Sequence, residues 1–249
     1  MASTDAAWEA WGQRDPYYGV VSHPYFRRDT LDDHREEFFG AGASVVRNRI
    51  TEYERQFGPL PRGSALDFGC GVGRLTLPLA EEFSRVVGLD IAPSMLAEAR
   101  QNADALRADN VTFALSDDDL GNAPGGFDFV HSYIVLQHIP TRRGMRIIQR
   151  LVEKVEPGGG LSLHVSVDVR HPAWRLGATL LHRVPLAYKL SSWAKGRPLS
   201  DPPMQMNGYS LQRILVLLAG EGFPEVHVRS ETHHGVLTFL LSARRPPLP

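Results

Sequence analysis

The amino-acid sequence predicts an α/β fold: a doubly wound sheet of seven strands, mostly parallel with an antiparallel last strand, with N-terminal helices before it and a helical insertion after the fifth strand. Three observations predict this class. Short apolar runs alternate with helical patterns from residue 63 onward, which is typical of parallel sheets. The runs are apolar nearly throughout, as in strands that are covered on both faces. The last two runs are joined by a loop that is long enough only for an antiparallel pair.

The composition is that of a single globular unit, because 249 residues with 43% apolar side chains can bury a large core. The formal net charge is -1, so no overall field attracts nucleic acid and no nucleic-acid partner is predicted. Cys70 is the single cysteine. There is no leader-like start and no apolar run of the roughly 18 to 20 residues that cross a bilayer. These features predict a cytoplasmic protein.

The chain divides into four predicted segments. Residues 1–62 show apolar side chains at three- and four-residue steps, and they predict two or three helices that form an N-terminal helical or lid segment. Residues 63–168 are the predicted cofactor-binding core, 169–208 the insertion, and 209–249 a closing helix with two strands of the core.

Within these segments each apolar run is assigned to a strand and each stretch of helical periodicity to a helix. The predicted strands are 64–69, 85–91, 110–116, 127–136, 161–167, 224–230 and 235–245. The predicted helices of the core are 73–83, 92–106, 141–160 and 209–223, the third of them ended by a run of glycines.

The stretch LDFGCGVGRL, residues 66–75, ends an apolar run in Asp67 and then places glycines at 69, 71 and 73. Such a turn lets a backbone lie against a nucleotide. The dinucleotide pattern GxGxxG needs a glycine where Arg74 stands, and the Lys-Ser/Thr ending of a phosphate loop is absent. Asp90 closes the second strand, where a carboxylate can accept two hydrogen bonds from a ribose. The residues therefore predict a nucleoside ligand without phosphates.

Five stretches, ALDFGCGVGRLTLPLA, VVGLDIAPSMLAEAR, NVTFALSDDD, GFDFVHSYIVLQHI and PGGGLSLHV, resemble in order and spacing the motifs of the class I S-adenosylmethionine-dependent methyltransferases. The resemblance covers residues 60 to 168 through these motifs and 209 to 245 by topology. It implies a Rossmann-like fold, an enzyme that transfers methyl groups, and S-adenosylmethionine as the cofactor.

The resemblance also implies which residues hold the cofactor. Asp67 would lie near the methionine ammonium, Asp90 would bind the ribose hydroxyls, and Asp117 would accept a hydrogen bond from the adenine amine. The segment Ser132–His138 would line the methyl-bearing sulfonium. The side chain of Cys70 is most simply a packed one, although the residue belongs to the glycine turn. The complete set is Asp67, Gly69, Cys70, Gly71, Gly73, Asp90, Ile91, Ser116, Asp117 and Ser132.

His138 follows the fourth strand at the edge where cofactor and acceptor are expected to meet, and imidazole suits proton removal near neutral pH. It is the predicted catalytic residue, with a purely structural hydrogen bond to a backbone carbonyl as an equal alternative. His131, inside the strand, is predicted to be a core residue. The two histidines have no third ligand nearby, so no metal is predicted.

Aromatic residues outside the core pattern are the candidates for binding the acceptor: Tyr17, Tyr18, Tyr25, Trp174 and Tyr209. The N-terminal tyrosines form a lid or pack onto the sheet, and both alternatives stay open. Residues 170–197 carry basic and aromatic side chains and no acid. They are expected to shape the acceptor pocket, and contact with a membrane surface is the less favoured alternative.

The predicted function is methyl transfer from S-adenosylmethionine to an oxygen, nitrogen or carbon nucleophile of a small molecule. Two alternatives stay open: a methyltransferase that acts on a lipid or quinone at a membrane, and a protein that binds S-adenosylmethionine without turnover. A nicotinamide-dependent oxidoreductase is disfavoured because Arg74 replaces the third glycine. The regions expected to select the acceptor, 1–60 and 169–208, carry no recognisable motif, so the acceptor is not predicted.

Overall fold

The computed structural model describes residues 4–167, 198, 201–233 and 236–248. At its centre is one seven-stranded sheet with the strand order β3-β2-β1-β4-β5-β7-β6. The strands are β1 (Ser64–Phe68), β2 (Arg85–Asp90), β3 (Val111–Leu115), β4 (Phe127–Ser132), β5 (Val155–Ser166), β6 (Val226–His233) and β7 (Val236–Arg244).

The strand directions are those of a doubly wound sheet. β1 pairs in parallel with β2 and with β4, β2 with β3, and β4 with β5. β7 lies antiparallel between β5 and β6. The predicted fold class, including the antiparallel last strand, is confirmed. Because β1, β2 and β4 are parallel neighbours, their carboxyl ends lie at one edge of the sheet, where ligands of such folds bind.

Seven α-helices of the described chain flank the sheet, and local signals set several of their ends. Pro93 stands in the first turn of its helix, and Gly58, with a left-handed φ of 81°, follows the last turn of another. The Ser210 hydroxyl accepts a hydrogen bond from the Arg213 N–H at a third helix start. The helices are α1 (Thr4–Arg14), α2 (Pro16–Val20), α3 (Leu31–Phe57), α4 (Thr76–Glu82), α5 (Pro93–Leu106), α6 (Thr141–Glu153) and α7 (Leu211–Gly220).

Both faces of the sheet are buried, which explains the continuous apolar runs in its strands. On one face Leu66, Val130 and Leu161 belong to a core cluster with side chains of α6 and α7. On the other face Val86 and Phe129 pack with side chains of α3 and α4. The core therefore consists of two apolar layers with the sheet between them.

The helix predicted over 141–160 is wrong in its second half. α6 ends at Glu153, and the glycines that were expected to terminate it lie inside β5. The pairing with β4 shifts register between Phe127 and Phe129, so these glycines serve an irregular stretch of strand. A Cβ at Gly160 would lie 2.6 Å from the ring of Tyr53, so the glycine lets α3 approach β5 closely.

The strand predicted over 127–136 is too long. β4 ends at Ser132, and Ile134 has a φ of 60°, which is a strained backbone position for a β-branched residue. A 3-10 turn at Leu136–His138 follows. The apolar side chains after Ser132 belong to this turn and not to the sheet.

After the predicted insertion the chain returns directly to the sheet edge, because Val167 and Tyr209 form a parallel bridge. Of the insertion predicted at 169–208, the structure describes residue 198 and residues 201–208, so Trp174 and the membrane alternative for 170–197 fall outside the described residues. Along the part of the chain that is described, no helix is both long and apolar enough to cross a membrane.

Replacing Gly144 with alanine tests the packing of α6 against Tyr209. A Cβ there would lie 1.8 Å from the Tyr209 hydroxyl. Tyr209 is 1% exposed, and its hydroxyl lies within hydrogen-bond distance of the Leu136 and Ile139 carbonyls. We expect Gly144→Ala to lower the free energy of unfolding by about 2 to 3 kcal/mol, measured by urea denaturation.

The matched control is Gly40→Ala in α3, where no atom lies within 4 Å of the added Cβ. This helix-interior change is expected to raise the stability by about 0.5 to 1 kcal/mol. Equal effects of the two substitutions would contradict the packing assigned to Gly144.

Candidate active site

A tight glycine turn follows β1 at the carboxyl edge of the sheet. The N–H groups of Gly69 and Cys70 both donate to the Leu89 carbonyl of β2, at 2.7 and 2.9 Å. Gly69, Gly71 and Gly73 have φ angles of 79°, 53° and 84°. These are left-handed conformations that glycine adopts without strain, so the sequence spacing of the glycines is required by the turn.

Two of these glycines are also required by close packing. A Cβ at Gly69 would lie 2.3 Å from Val135, and a Cβ at Gly71 would lie 2.6 Å from Val20. The turn after β4 and the end of α2 therefore both rest directly on the glycine turn.

Asp90, at the end of β2, is hydrogen-bonded to the same turn. Its Oδ2 accepts from the Gly71 N–H at 2.8 Å, and its Oδ1 accepts from the Ala92 N–H at 2.9 Å. Burial raises the pKa of Asp90 to about 6, although the backbone N–H groups of Ala92, Gly71 and Ile91 oppose the rise. A carboxylate that is this costly to ionise gains from every further donor that a ligand brings to it.

Asp67, at the end of β1, is a carboxylate with only 2% of its surface exposed. Its Oδ2 accepts from the Thr76 hydroxyl at 2.6 Å, and its Oδ1 lies 3.1 Å from Nδ1 of His131. His131 is buried, as predicted for a core residue. Among the described residues no arginine or lysine pairs with Asp67. A buried carboxylate with so little positive charge around it favours a cationic group nearby.

Three further predicted cofactor residues follow the ends of β2 and β3. Ile91 is partly buried directly after Asp90. The Ser116 N–H donates to the Asp90 carbonyl at 2.8 Å, which fastens the loop after β3 to the end of β2. Oδ1 of Asp117 accepts from the N–H groups of Asp119 and Gly121 at 3.1 and 2.9 Å, and the residue is exposed. Its contact with adenine stays a prediction.

The side chains of Cys70 and Ser132 are used inside the fold. Cys70 is 4% exposed and packs with Leu77, and burial raises the pKa of its thiol well above the usual range. The Ser132 hydroxyl donates to the Phe68 carbonyl at 3.0 Å and so links β4 to β1. If these two residues contact a cofactor, they would therefore do so through backbone atoms.

His138 is held in one orientation and one tautomer. Its Nδ1 lies 2.8 Å from the Gln205 carbonyl oxygen, which can only accept, so Nδ1 carries the proton. The Nε2 lone pair accepts from the side-chain amide of Gln137 at 3.3 Å, a hydrogen bond that an incoming proton or acceptor would replace. The Trp8 ring meets the imidazole edge-on at 4.9 Å. Burial lowers the pKa of His138 to about 4 in spite of the hydrogen bond to Gln205. The structural hydrogen bond is thus present, and a neutral imidazole nitrogen is still able to accept a proton. Among the described residues no group of three side chains could hold a metal ion.

Two predicted acceptor residues are packed inside the molecule. Tyr209 is 1% exposed, and its hydroxyl lies 2.8 and 2.9 Å from the carbonyls of Leu136 and Ile139. Tyr17 is 3% exposed, and its hydroxyl lies 2.9 Å from Glu98 and 2.9 Å from Asn102. These tyrosines hold the turn after β4 and the helix α2 in place.

The other two described tyrosines belong to the outer part of the N-terminal segment. Tyr18 is buried beneath Arg27, whose guanidinium carbon lies 3.4 Å from the ring centroid. Tyr25 is 48% exposed and stacks on His34. A contact of these rings with an acceptor stays a prediction.

α1 lies across the carboxyl edge from α5 to α6. Glu9 accepts from the Ser94 N–H at the start of α5, at 3.1 Å. At the other end, Arg143 of α6 donates both to Asp5 of α1 and to Asp118 in the loop after β3. The N-terminal segment therefore covers the region between the glycine turn and His138.

Sequence analysis missed Arg27, which joins the N-terminal segment to the residues after the insertion. It donates to Asp201 at 2.7 Å and to Asp15 at 3.2 Å. Burial alone would lower the pKa of Arg27, but hydrogen bonds and charges of these carboxylates raise it. Burial also raises the pKa of Asp15. The partner at Asp201 is 174 residues away in the chain, so no local pattern marks the pair.

Residues 65–159 match a protein family described as a methyltransferase domain. Trans-aconitate 2-methyltransferase of Deinococcus radiodurans is 35% identical over 118 residues, which are 47% of this chain and 43% of that protein. Magnesium-protoporphyrin O-methyltransferase of Synechocystis is 37% identical over 94 residues, which are 38% of this chain and 41% of that protein. The chain thus matches less than half the length of either relative.

The likeness in three dimensions extends further along the chain. The crystal structure of magnesium protoporphyrin IX methyltransferase from Synechocystis PCC 6803 with bound S-adenosylmethionine superposes with a TM-score of 0.61. The superposition covers 98% of this chain and 98% of that one at 20% sequence identity. At this identity the likeness establishes a common fold.

Replacing Arg27 with methionine would remove the guanidinium that is shared by Asp15 and Asp201, whose side chains are 8% and 5% exposed. Among the described residues it would leave Asp201 only the more distant Arg14 at 3.8 Å. We expect Arg27→Met to lower the free energy of unfolding by about 3 kcal/mol in urea denaturation. Arg62→Met is the control, because Arg62 and its partners Glu54 and Glu82 are each about a third exposed. Its effect is expected to stay below about 1 kcal/mol. Equal losses would show that the burial of the Arg27 pair is energetically unimportant.

Proposed function

We propose that this chain, whose residues 65–159 match a methyltransferase domain, is a class I S-adenosylmethionine-dependent methyltransferase that transfers a methyl group from S-adenosylmethionine to a nucleophile of a small-molecule acceptor. The attacked atom is an oxygen, a nitrogen or a carbon. One observation carries the proposal: two acids, Asp67 and Asp90, stand at the carboxyl ends of adjacent strands on either side of a glycine turn.

The residues fit this cofactor. Asp67 is buried and lacks an arginine or lysine partner among the described residues, which suits a ligand that carries an ammonium and a sulfonium. Asp90 gains from further donors, which suits a ribose with two hydroxyls. The turn between them carries no lysine for a phosphate, which suits a nucleoside without phosphates.

S-adenosylmethionine supplies a methyl group on a sulfonium that is already a good leaving group. The protein's work is therefore to align the acceptor and to keep water out. The turn after β4 is fixed for this task by Tyr209 and rests on Gly69 through Val135. The N-terminal segment packs directly on the glycine turn through Val20.

The state of His138 favours acceptors that need no strong base. Its Nε2 lone pair can accept a proton or orient an acceptor, but burial holds the pKa near 4, so the imidazole is a weak base. A carboxylate or a neutral amine is already nucleophilic at neutral pH. The relatives are named as methyltransferases of trans-aconitate and of magnesium-protoporphyrin, so carboxylate-bearing acceptors are the first to test.

The test of the function is a screen with methyl-labelled S-adenosylmethionine. Purified protein is incubated with separate pools of small carboxylates, amines and phenols, and labelled products are identified by mass spectrometry. The expected result is a labelled product in at least one pool together with S-adenosylhomocysteine. Binding of S-adenosylmethionine with no product in any pool or in a cell extract would support the alternative of a protein without turnover.

Replacing Asp90 with asparagine tests the ribose contact. We expect Asp90→Asn to weaken binding of S-adenosylhomocysteine by about 10- to 100-fold in calorimetry, because hydrogen bonds to a charged acceptor contribute roughly 1.5 to 3 kcal/mol. Asp128→Asn is the matched control. Asp128 also accepts from a backbone N–H, that of Ser64 at 2.7 Å, but at the amino edge of the sheet. Unchanged affinity in the Asp90 variant would contradict the assigned role.

Cofactor binding is also expected to depend on pH through Asp90. The pKa of the carboxyl is about 6 before binding, and donors from a ribose favour the ionised form and lower it. Protonation below pH 6 therefore opposes binding. The affinity for S-adenosylhomocysteine should fall as pH decreases from 7 to 5, by at most about tenfold per pH unit. Calorimetry in two buffers at pH 6 should show proton release on binding, and persistence of the same pH dependence in Asp90→Asn would refute the assignment.

A further inference from the structure

Arg74 directly follows the glycine turn and is held there by α3. Its Nε donates to the Phe38 carbonyl at 3.1 Å, and its guanidinium carbon lies 5.4 Å from the Phe38 ring centroid. A Cβ at Gly42 would lie 2.5 Å from the carbonyl oxygen of Arg74, so α3 packs closely against the backbone of Arg74 only because residue 42 is a glycine. The stem of Arg74 is thus fixed, while its two terminal nitrogens have no hydrogen-bond partner among the described residues.

No acid of the described residues compensates the charge of Arg74. Among the described residues no carboxylate lies within ion-pair distance of it, whereas Arg27 pairs with Asp15 and Asp201. Burial lowers the pKa of Arg74, and a weaker effect from the Tyr133 phenol opposes this. Arg74 is therefore a partly desolvated cation to which the described part of the chain gives no counter-ion. Burying a cation lowers the stability of the fold unless an anion pairs with it.

Asp67 is the opposite case at the other end of the same turn. It is a buried carboxylate that no arginine or lysine of the described chain neutralises. The fold does not pair Asp67 with Arg74, although only six residues separate them in the chain. Within the described chain Asp67 has only a hydroxyl and an imidazole as partners and Arg74 has no carboxylate, so the two sides of one turn match a ligand that carries both charges, such as an amino-acid zwitterion.

We propose that Arg74 binds a carboxylate of the ligand held over the glycine turn, through the fork of its two terminal nitrogens. The inference rests on the proposed function, and it adds an anion-binding residue to it. Two ligands could supply this carboxylate: the amino-acid end of the cofactor, or a carboxylate-bearing acceptor. A planar guanidinium whose terminal nitrogens bond to none of the described residues matches the two oxygens of a carboxylate in either case.

The first arm of the test compares two ligands that share the adenosine and differ in the amino acid. S-adenosylhomocysteine carries the amino-acid carboxylate, and 5′-methylthioadenosine lacks it. Calorimetry is run with the wild-type chain, Arg74→Met and Arg74→Lys. The matched control is Arg245→Met, because Arg245 likewise donates to a backbone carbonyl, that of Val152 at 3.0 Å, and lies 5.1 Å from a phenylalanine ring centroid.

For the cofactor as the source, Arg74→Met should weaken S-adenosylhomocysteine at least about tenfold and leave 5′-methylthioadenosine within about threefold of wild type. Arg74→Lys should recover part of the loss, because lysine keeps the charge without the fork. Arg245→Met should change neither ligand. Equal weakening of both ligands in Arg74→Met would show a structural role and overturn the proposal.

The second arm applies if S-adenosylhomocysteine binds Arg74→Met as it binds wild type. Trans-aconitate is then titrated into each chain already loaded with S-adenosylhomocysteine. At least about tenfold weaker binding of trans-aconitate by Arg74→Met assigns the carboxylate to the acceptor. Equal binding by both chains, or none by wild type, overturns the proposal. If the wild-type chain binds neither adenosyl ligand, the proposed function itself has failed.

Discussion

The junction between β1 and β2 is the constraint on which the rest of the site depends. The Leu89 carbonyl accepts two N–H groups of the glycine turn, and the Asp90 carboxylate accepts a third from Gly71. These bonds close the turn in left-handed conformations that only glycine adopts without strain. Because the turn is closed in this way, the acids at the ends of the two strands face a common edge. The placement of both acids thus follows from backbone hydrogen bonds, before any ligand is considered.

The same turn also positions chain segments that are distant in sequence. Val20 from α2 and Val135 from the turn after β4 occupy the space that side chains at Gly71 and Gly69 would fill. The glycines therefore do more than permit a backbone conformation, since they provide the surface on which the N-terminal segment and the His138 turn come together. Side chains at Gly71 and Gly69 would push the N-terminal segment and the turn after β4 away from the sheet.

The fold was predictable because strand and helix signals are local, and the acids at positions 67 and 90 were identified because they lie in short motifs. The errors have physical causes. The glycines at 158–160 were assigned to a helix end, but they allow an irregular stretch of β5 and the approach of Tyr53. The burial of Tyr17 and Tyr209 was also not visible in the sequence, because their hydroxyls are satisfied by groups 81 and 73 residues away; their contact with an acceptor stays a prediction. Long-range pairing of this kind leaves no pattern in a single sequence.

Buried charged side chains of this molecule differ in whether an opposite charge of the protein pairs with them, and this difference distinguishes those with a structural role from those expected to face a ligand. Arg49 lies between α3 and the sheet and is 8% exposed, but Glu52 and Glu231 both pair with it, so the fold completes its charge. Asp67 is buried and Arg74 is partly buried, yet among the described residues no arginine or lysine pairs with Asp67 and no carboxylate pairs with Arg74; the partners of Asp67 are the Thr76 hydroxyl and the His131 ring. Since leaving such charges without an opposite charge costs stability, their lack of a charged partner among the described arginines, lysines and carboxylates favours a ligand as that partner. Arg49 is the more buried of the two arginines, so burial alone would favour it as a site residue. Its charge is already paired with two glutamates, whereas Arg74 has no such partner among the described residues, so Arg74 is the better candidate.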